Sequence, residues 1–349
     1  MKKIFVLVLI ISALFAGRGL ALDSLTYKGQ VNDAKANNAK TDAEVASIVK
    51  AAESGDAENQ YQLGFLYFSG DGVPLDKAKA IEWWLKAAKQ GNRDAQAILG
   101  AVYFEGDGVP QDFAKGVEWL QKAADQGNAL AQRRLGWAYF DGQGIAKDSK
   151  KALEWWTKAA IQGDDKAQDA LGDAYSIGKI VPQDLAKAVE WWLKAADQGN
   201  YFAQYSLGQA YARGRGAPKD QNKAVSFFEK SAEQGYARSQ YYLGAAYFFG
   251  DGKPMNKATA TGWWLKAADQ GHPDAQYLLG LAYSKGEGVP KNMSKAIEWW
   301  TKAAEQGLPT AQYMLGLEYA IGDDVPEDIT KATEWWLKAV KVSLRNSDT

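Results

Sequence analysis

The pair Leu-Gly recurs at 63–64, 99–100, 135–136, 171–172, 207–208, 243–244, 279–280 and 315–316, at intervals of 36 residues throughout. A large apolar pair keeps the same spacing: Trp83-Trp84, Trp119-Leu120, Trp155-Trp156, Trp191-Trp192, Phe227-Phe228, Trp263-Trp264, Trp299-Trp300 and Trp335-Trp336. Eight units of 36 residues fill 55–342 of the 349-residue chain without an insertion. A fixed period of this length specifies a solenoid, in which each unit buries its apolar face against its neighbours.

Each unit reads as two helices. In 91–126 the first runs from about Arg93 to Phe104 and ends at Gly106 and Gly108, since glycine tolerates the left-handed conformation that stops a helix. Asp112 is a good N-cap for the second, which runs to about Gln126 and stops at Gly127. The cap position is Asp in six units and Asn in two, Asn256 and Asn292. The expected fold is therefore all-α, an α/α solenoid of eight helix-turn-helix units. Residues 41–54 resemble a lone second helix and are expected to cap the N-terminal end, while 343–349 read as a frayed C-terminal tail.

Fourteen Trp and 17 Tyr require an explanation. On a helical wheel Leu185, Ala188, Val189, Trp192, Ala195 and Ala196 share one face with Trp192 at its centre, and Trp191 lies about 100° to one side. The second aromatic of each pair is thus expected in the core. The first fills the gap between units or, alternatively, offers a ligand surface. The Gly of Leu-Gly lets a large indole approach the backbone. The Gln of every unit (60, 96, 132, 168, 204, 240, 276 and 312) is expected to serve the architecture by hydrogen-bonding a turn between helices.

Function is sought where the units differ. One stripe of the first helix holds Tyr61 and Phe65, Arg133 and Trp137, Asp169 and Asp173, Tyr205, Tyr241, Tyr277 and Tyr313. First helices normally line the concave wall of a helix-pair solenoid, and exposed Tyr and Trp on a rigid wall suit recognition of a protein or peptide. The competing expectation is that these residues only pack first helix against first helix. Arg133 and Arg134 lie one unit from Asp169 and Asp173, which suggests either an ion pair between units or a polar anchor in the groove.

The chain offers little for catalysis. It has no Cys, hence no thiol nucleophile or thiolate metal site. His272, the single His, precedes Pro273 and reads as a helix cap. Ser47-Ile-Val-Lys50 spells the SxxK of penicillin-interacting enzymes but lacks partner motifs. The loop from Asp71 to Asp76 has apolar residues at calcium-ligand positions. No catalytic residue, cofactor or metal is expected. Balanced charge, 41 basic against 42 acidic residues, argues against nucleic acid as a partner. Cell-wall glycan, stacked on Tyr and Trp, is the second reading for a ligand.

At the N-terminus Lys2 and Lys3 precede a short apolar core, Ile4 to Ala16, with small residues Gly19 and Ala21 before a cleavage point. Residues 1–21 are thus expected to be a signal peptide and 22–40 a flexible linker. The chain is expected to be exported, to the periplasm or alternatively secreted, with no membrane span after cleavage.

The recurring pattern AQxxLGxxYxxGxGVPxDxxKAxEWWxKAAxQG resembles the Sel1-like repeat, a relative of the tetratricopeptide repeat with a longer loop, over 55–342. The resemblance implies a right-handed α/α superhelix acting as a non-catalytic adaptor or scaffold. A cysteine-rich branch of that family is associated with penicillin binding and β-lactamase activity; the absence of Cys weakens that analogy and leaves a β-lactamase-like or cell-wall hydrolase as the least favoured reading.

Overall fold

The computed structural model describes residues 41–323 and 325–347, with side chains as far as Lys341. The signal and linker readings lie outside these residues. A single helix, α1 (Asp42–Glu53), precedes eight pairs: α2 and α3 (Ala57–Ser69, Lys77–Lys89), α4 and α5 (Arg93–Glu105, Phe113–Asp125), α6 and α7 (Ala129–Asp141, Ser149–Ile161), α8 and α9 (Asp165–Ile177, Leu185–Asp197), α10 and α11 (Tyr201–Arg213, Gln221–Glu233), α12 and α13 (Ala237–Phe249, Lys257–Asp269), α14 and α15 (Pro273–Lys285, Met293–Glu305), α16 and α17 (Pro309–Ile321, Ile329–Ser347). Among the described residues there is no strand, as the all-α reading expected. None of these helices is long and apolar enough to cross a membrane.

Local chemistry sets the boundaries. Asp76, Asp112 and their counterparts accept from the backbone N–H three residues on, and Gly106 ends α4 at φ 70° in the left-handed region. Thr41 and Glu44 form a reciprocal capping box at the start of α1. The last helix is the exception. Val342-Ser343 stands where the other units have Gln-Gly, so no stop follows and α17 continues to Ser347, through most of the stretch read as a frayed tail.

The described residues fall into two compact units. One extends to Leu171 and includes Lys179–Val181; the other comprises Gly172–Gly178 and the chain from Pro182. Within each, a side-chain ladder joins successive repeats. Gln60 donates from Nε2 to the Ala52 carbonyl at 3.1 Å, and Gln90 donates to Gln60 Oε1 at 2.8 Å. The same pair of bonds recurs at Gln96 and Gln126, and at Gln132 and Gln162, in the first unit. In the second it recurs at Gln204 and Gln234, Gln240 and Gln270, and Gln276 and Gln306. The Gln row thus ties each first helix to the last turn of the preceding second helix, as its recurrence suggested. Buried amides satisfied in this way hold each repeat to the next at a fixed spacing.

Candidate partner-binding surface

The paired aromatics divide as the wheel predicts. Trp84, Trp156, Trp192, Phe228, Trp264 and Trp300 are buried, each against the Gly of its own unit. Several indoles also find an acceptor: Trp84, Trp264 and Trp300 donate to the carbonyls of Tyr61, Tyr241 and Tyr277 at 3.1–3.2 Å. The first aromatic of each pair is half-buried, except for the buried Trp299. A Lys three residues on stands over its ring, 3.6 Å from the centroid for Lys86 on Trp83 and 3.9–4.3 Å for the other six tryptophans. Each cation–π contact contributes about 0.5–1 kcal/mol at such exposed sites. One face of each of these rings is therefore taken by an ammonium group. This lid was visible in the sequence as the invariant Lys of E-W-W-x-K, but a helix-surface Lys reads as solvated until its ring partner is seen.

The first-helix stripe is less open than the sequence suggested. Arg133, Asp169, Asp173 and Tyr205 are buried, so the expectation of an accessible surface fails at these four positions. Arg133 Nη1 pairs with Asp164, whose Oδ1 caps α8 by accepting from Ala167 N. Arg134 pairs with Glu105 of the preceding repeat at 3.1 Å. Asp173 Oδ1 accepts from Trp192 Nε1 at 3.3 Å. Tyr205 lies among Phe228, Tyr236 and Tyr242. The cause is geometric: the second half of the same repeat and, for Tyr205, the start of the next one supply partners to a flank that a single wheel assigns to solvent.

Tyr61, Phe65, Trp137, Tyr241 and Tyr277 are half-buried. Phe65 and Trp137 rest edge-on against Trp84 and Trp156, with centroids 5.3 and 4.7 Å apart. Burial, then the charges of Asp94 and Glu58, pushes the Tyr61 phenol pKa up; burial, then Asp274, does the same for Tyr241. Both phenols stay protonated and able to donate. Tyr313 alone of the ten is open, with 53% of its surface exposed. On α14 and α16, Leu278, Leu281, Met314 and Leu317 are half-buried. Tyr241, Tyr277 and Tyr313 thus set phenols in register on α12, α14 and α16, with Tyr313 open and the other two half-buried like Tyr61.

Of the three residues singled out for possible chemistry, His272 has a structural role and Ser47 and Lys50 lie on the surface. His272 caps α14, its Nδ1 accepting from Ala275 N at 3.3 Å, and its ring stacks on Tyr241 at 4.9 Å. Ser47 and Lys50 lie exposed on α1 at the places that Trp83 and Lys86 hold one repeat later. Their SxxK spacing is the W-x-x-K register of the second helix with Ser in place of Trp.

The Sel1 repeat model matches at 57–92, 93–128, 129–164, 165–200, 202–236, 237–272, 273–308 and 309–341. A similar solved structure is that of c5321, a protective antigen of uropathogenic Escherichia coli strains displaying an SLR fold. It is 36% identical, with a TM-score of 0.78 over 85% of this chain. This chain spans 64% of that chain's length. A Sel1 repeat protein from Oxalobacter formigenes is also 36% identical, with a TM-score of 0.62, over 85% of this chain and 86% of that one. No curated protein matches. With all eight units matched, by sequence and by fold, this chain belongs to the Sel1 repeat family.

Proposed function

We propose that the chain is an exported scaffold that binds a protein or peptide partner on the first-helix face of its last three repeats. Sel1 repeat proteins are generally non-catalytic interaction scaffolds. The observation that carries the reading is the register of Tyr241, Tyr277 and Tyr313. They occupy one position on three successive first helices and keep part of each ring in solvent, above indoles fixed to their carbonyls. Rings held this way lose little conformational freedom on binding, and Tyr is favoured at binding hot spots. Export rests on the charge and apolar pattern of residues 1–21. The E. coli neighbour's description as a protective antigen is in keeping with a place outside the cytoplasm.

The test is a cross-linking pull-down from an envelope extract. Wild type is compared with the Tyr241→Ala, Tyr277→Ala, Tyr313→Ala triple variant, after circular dichroism has shown both to be folded. A protein captured by wild type and lost by the variant supports the reading. Equal capture moves the site off this face. Retention of soluble cell-wall fragments in the absence of any protein would replace it with glycan binding. Export is checked by the mass of the mature N-terminus, expected to begin at Leu22.

A further inference from the structure

From the turns between the paired helices of repeats five, six and seven, we infer that this edge of the chain docks on an anionic lipid surface. At the turn of repeat six Phe249 and Met255 are 71% and 67% exposed. The same two positions are Ser69 and Leu75, Glu105 and Gln111, Asp141 and Lys147, Ile177 and Gln183, Arg213 and Lys219, Lys285 and Lys291, and Ile321 and Glu327 in the other repeats. Repeat six alone places large apolar residues at both. The flanking turns place cations there, and Arg215 adds one more.

All five of these cations are exposed. Among the described residues none of them pairs with a carboxylate, whereas Glu287 is held by Lys257 at 2.8 Å. Asp251 is the one carboxylate of the three turns with no ion pair among the described residues. The turns are stacked: Gly252 rests on Gln221 and Val225 of α11, and Gly288 on Lys257 of α13. Lys253 binds Glu229 at 2.8 Å and pins the central turn to α11. Phe249 is braced edge-on by Phe248, which leans on the buried Trp264. An apolar pair flanked by free cations is thus presented from a fixed base.

A bilayer interface accepts protruding apolar side chains without a matching pocket, and its negative charge is spread laterally, as the cations are here. A folded acidic partner would need its own cavity for Phe249 and Met255. Lipid headgroups are therefore the occupant these turns fit.

The test uses the chain from Leu22 onward, which keeps every residue of the described fold and omits the apolar stretch Ile4 to Ala16. Co-sedimentation is measured with vesicles of phosphatidylglycerol and phosphatidylethanolamine, and with vesicles of phosphatidylcholine alone, at low and high salt. Binding is expected only to the anionic vesicles and is expected to weaken with salt. F249S/M255S and K285Q/K291Q, each folded by circular dichroism, should each lower partitioning roughly tenfold. L75S, at an equally exposed apolar residue on an acidic turn, should leave it unchanged. No sedimentation with anionic vesicles overturns the inference, as does equal binding by the two double variants or equal loss in L75S. Capture of a Glu- and Phe-rich peptide by wild type but not by the variants, without vesicle binding, would overturn it in favour of an acidic protein segment.

Discussion

Trp84 occupies the space that a side chain on Gly64 would need: a β-carbon there would lie inside van der Waals contact of the indole Nε1 and Cδ1. The helix pair is set at this separation because the glycine has nothing to present and the indole is fully buried. Gly64→Ala should therefore destabilise the chain by about 1–3 kcal/mol through overpacking. Gly262 is the control. It lies within α13 with nothing within 4 Å of its would-be β-carbon, so Gly262→Ala should stabilise by up to about 1 kcal/mol through helix propensity. Thermal unfolding followed by circular dichroism should shift in opposite directions for the two.

The buried tryptophans are not equivalent. Trp84 Nε1 donates to Tyr61 O at 3.1 Å, while Trp156, equally buried, has no acceptor for its Nε1. Substitution by Phe removes similar apolar area at both. Only at Trp84 does it also remove a hydrogen bond, to a carbonyl that keeps its helical partner, and at Trp156 it removes an unsatisfied donor. Trp84→Phe should cost about 1–2 kcal/mol more than Trp156→Phe, read as the difference in unfolding midpoint in urea.

The Gln ladder stops at its last rung. Gln312 Nε2 donates to Ala304 O at 3.0 Å, but its buried Oε1 has no partner among the described residues. The donor that serves the other rungs comes from a Gln 30 residues on, and position 342 is Val. Val342→Gln should supply it and stabilise the last repeat by about 1 kcal/mol. Amide exchange in α16 and α17 should slow, with repeats one to three unchanged.

Much of this was legible in the sequence because the period carries it. Leu-Gly, the aromatic pair and the Gln recur in phase, and a residue present eight times is architectural. The wheel also separated Trp192 from Trp191 correctly. It failed for Arg133, Asp169, Asp173 and Tyr205, since a wheel holds one helix and leaves out the partners supplied by the rest of the repeat and, for Tyr205, by the start of the next. Lys86 over Trp83 was hidden for another reason: both residues are compatible with solvent alone, and only their contact shows that one ring face is taken. The accessible face at Tyr241, Tyr277 and Tyr313 was named among ten candidates, but the sequence could not rank them.

His272 gives a direct probe of burial, because it is the only histidine of the chain. Its Nδ1 caps α14, its ring lies on Tyr241, and burial, followed by the nearby Arg238 charge, lowers its pKa to about 4 from 6.5. The folded state thus resists protonation that the unfolded state accepts. A base depressed in this way contributes stability that is complete above pH 6.5 and is lost as pH falls from 6.5 to about 4, up to roughly 3 kcal/mol in all. Asp274, whose carboxyl is raised by burial on the same helix, works in the opposite sense, adding stability as pH falls toward the ordinary carboxylate range. The imidazole proton signal in an NMR titration should therefore stay neutral at pH 5.5 in the folded chain, a pH at which an exposed histidine is mostly charged. His272→Asn keeps a capping side chain without the titration and should flatten the fall in unfolding midpoint between pH 6.5 and 4.5 relative to wild type. A histidine that titrates near 6.5 would show that the Tyr241 stack opens in solution, and with it part of the surface assigned to the partner.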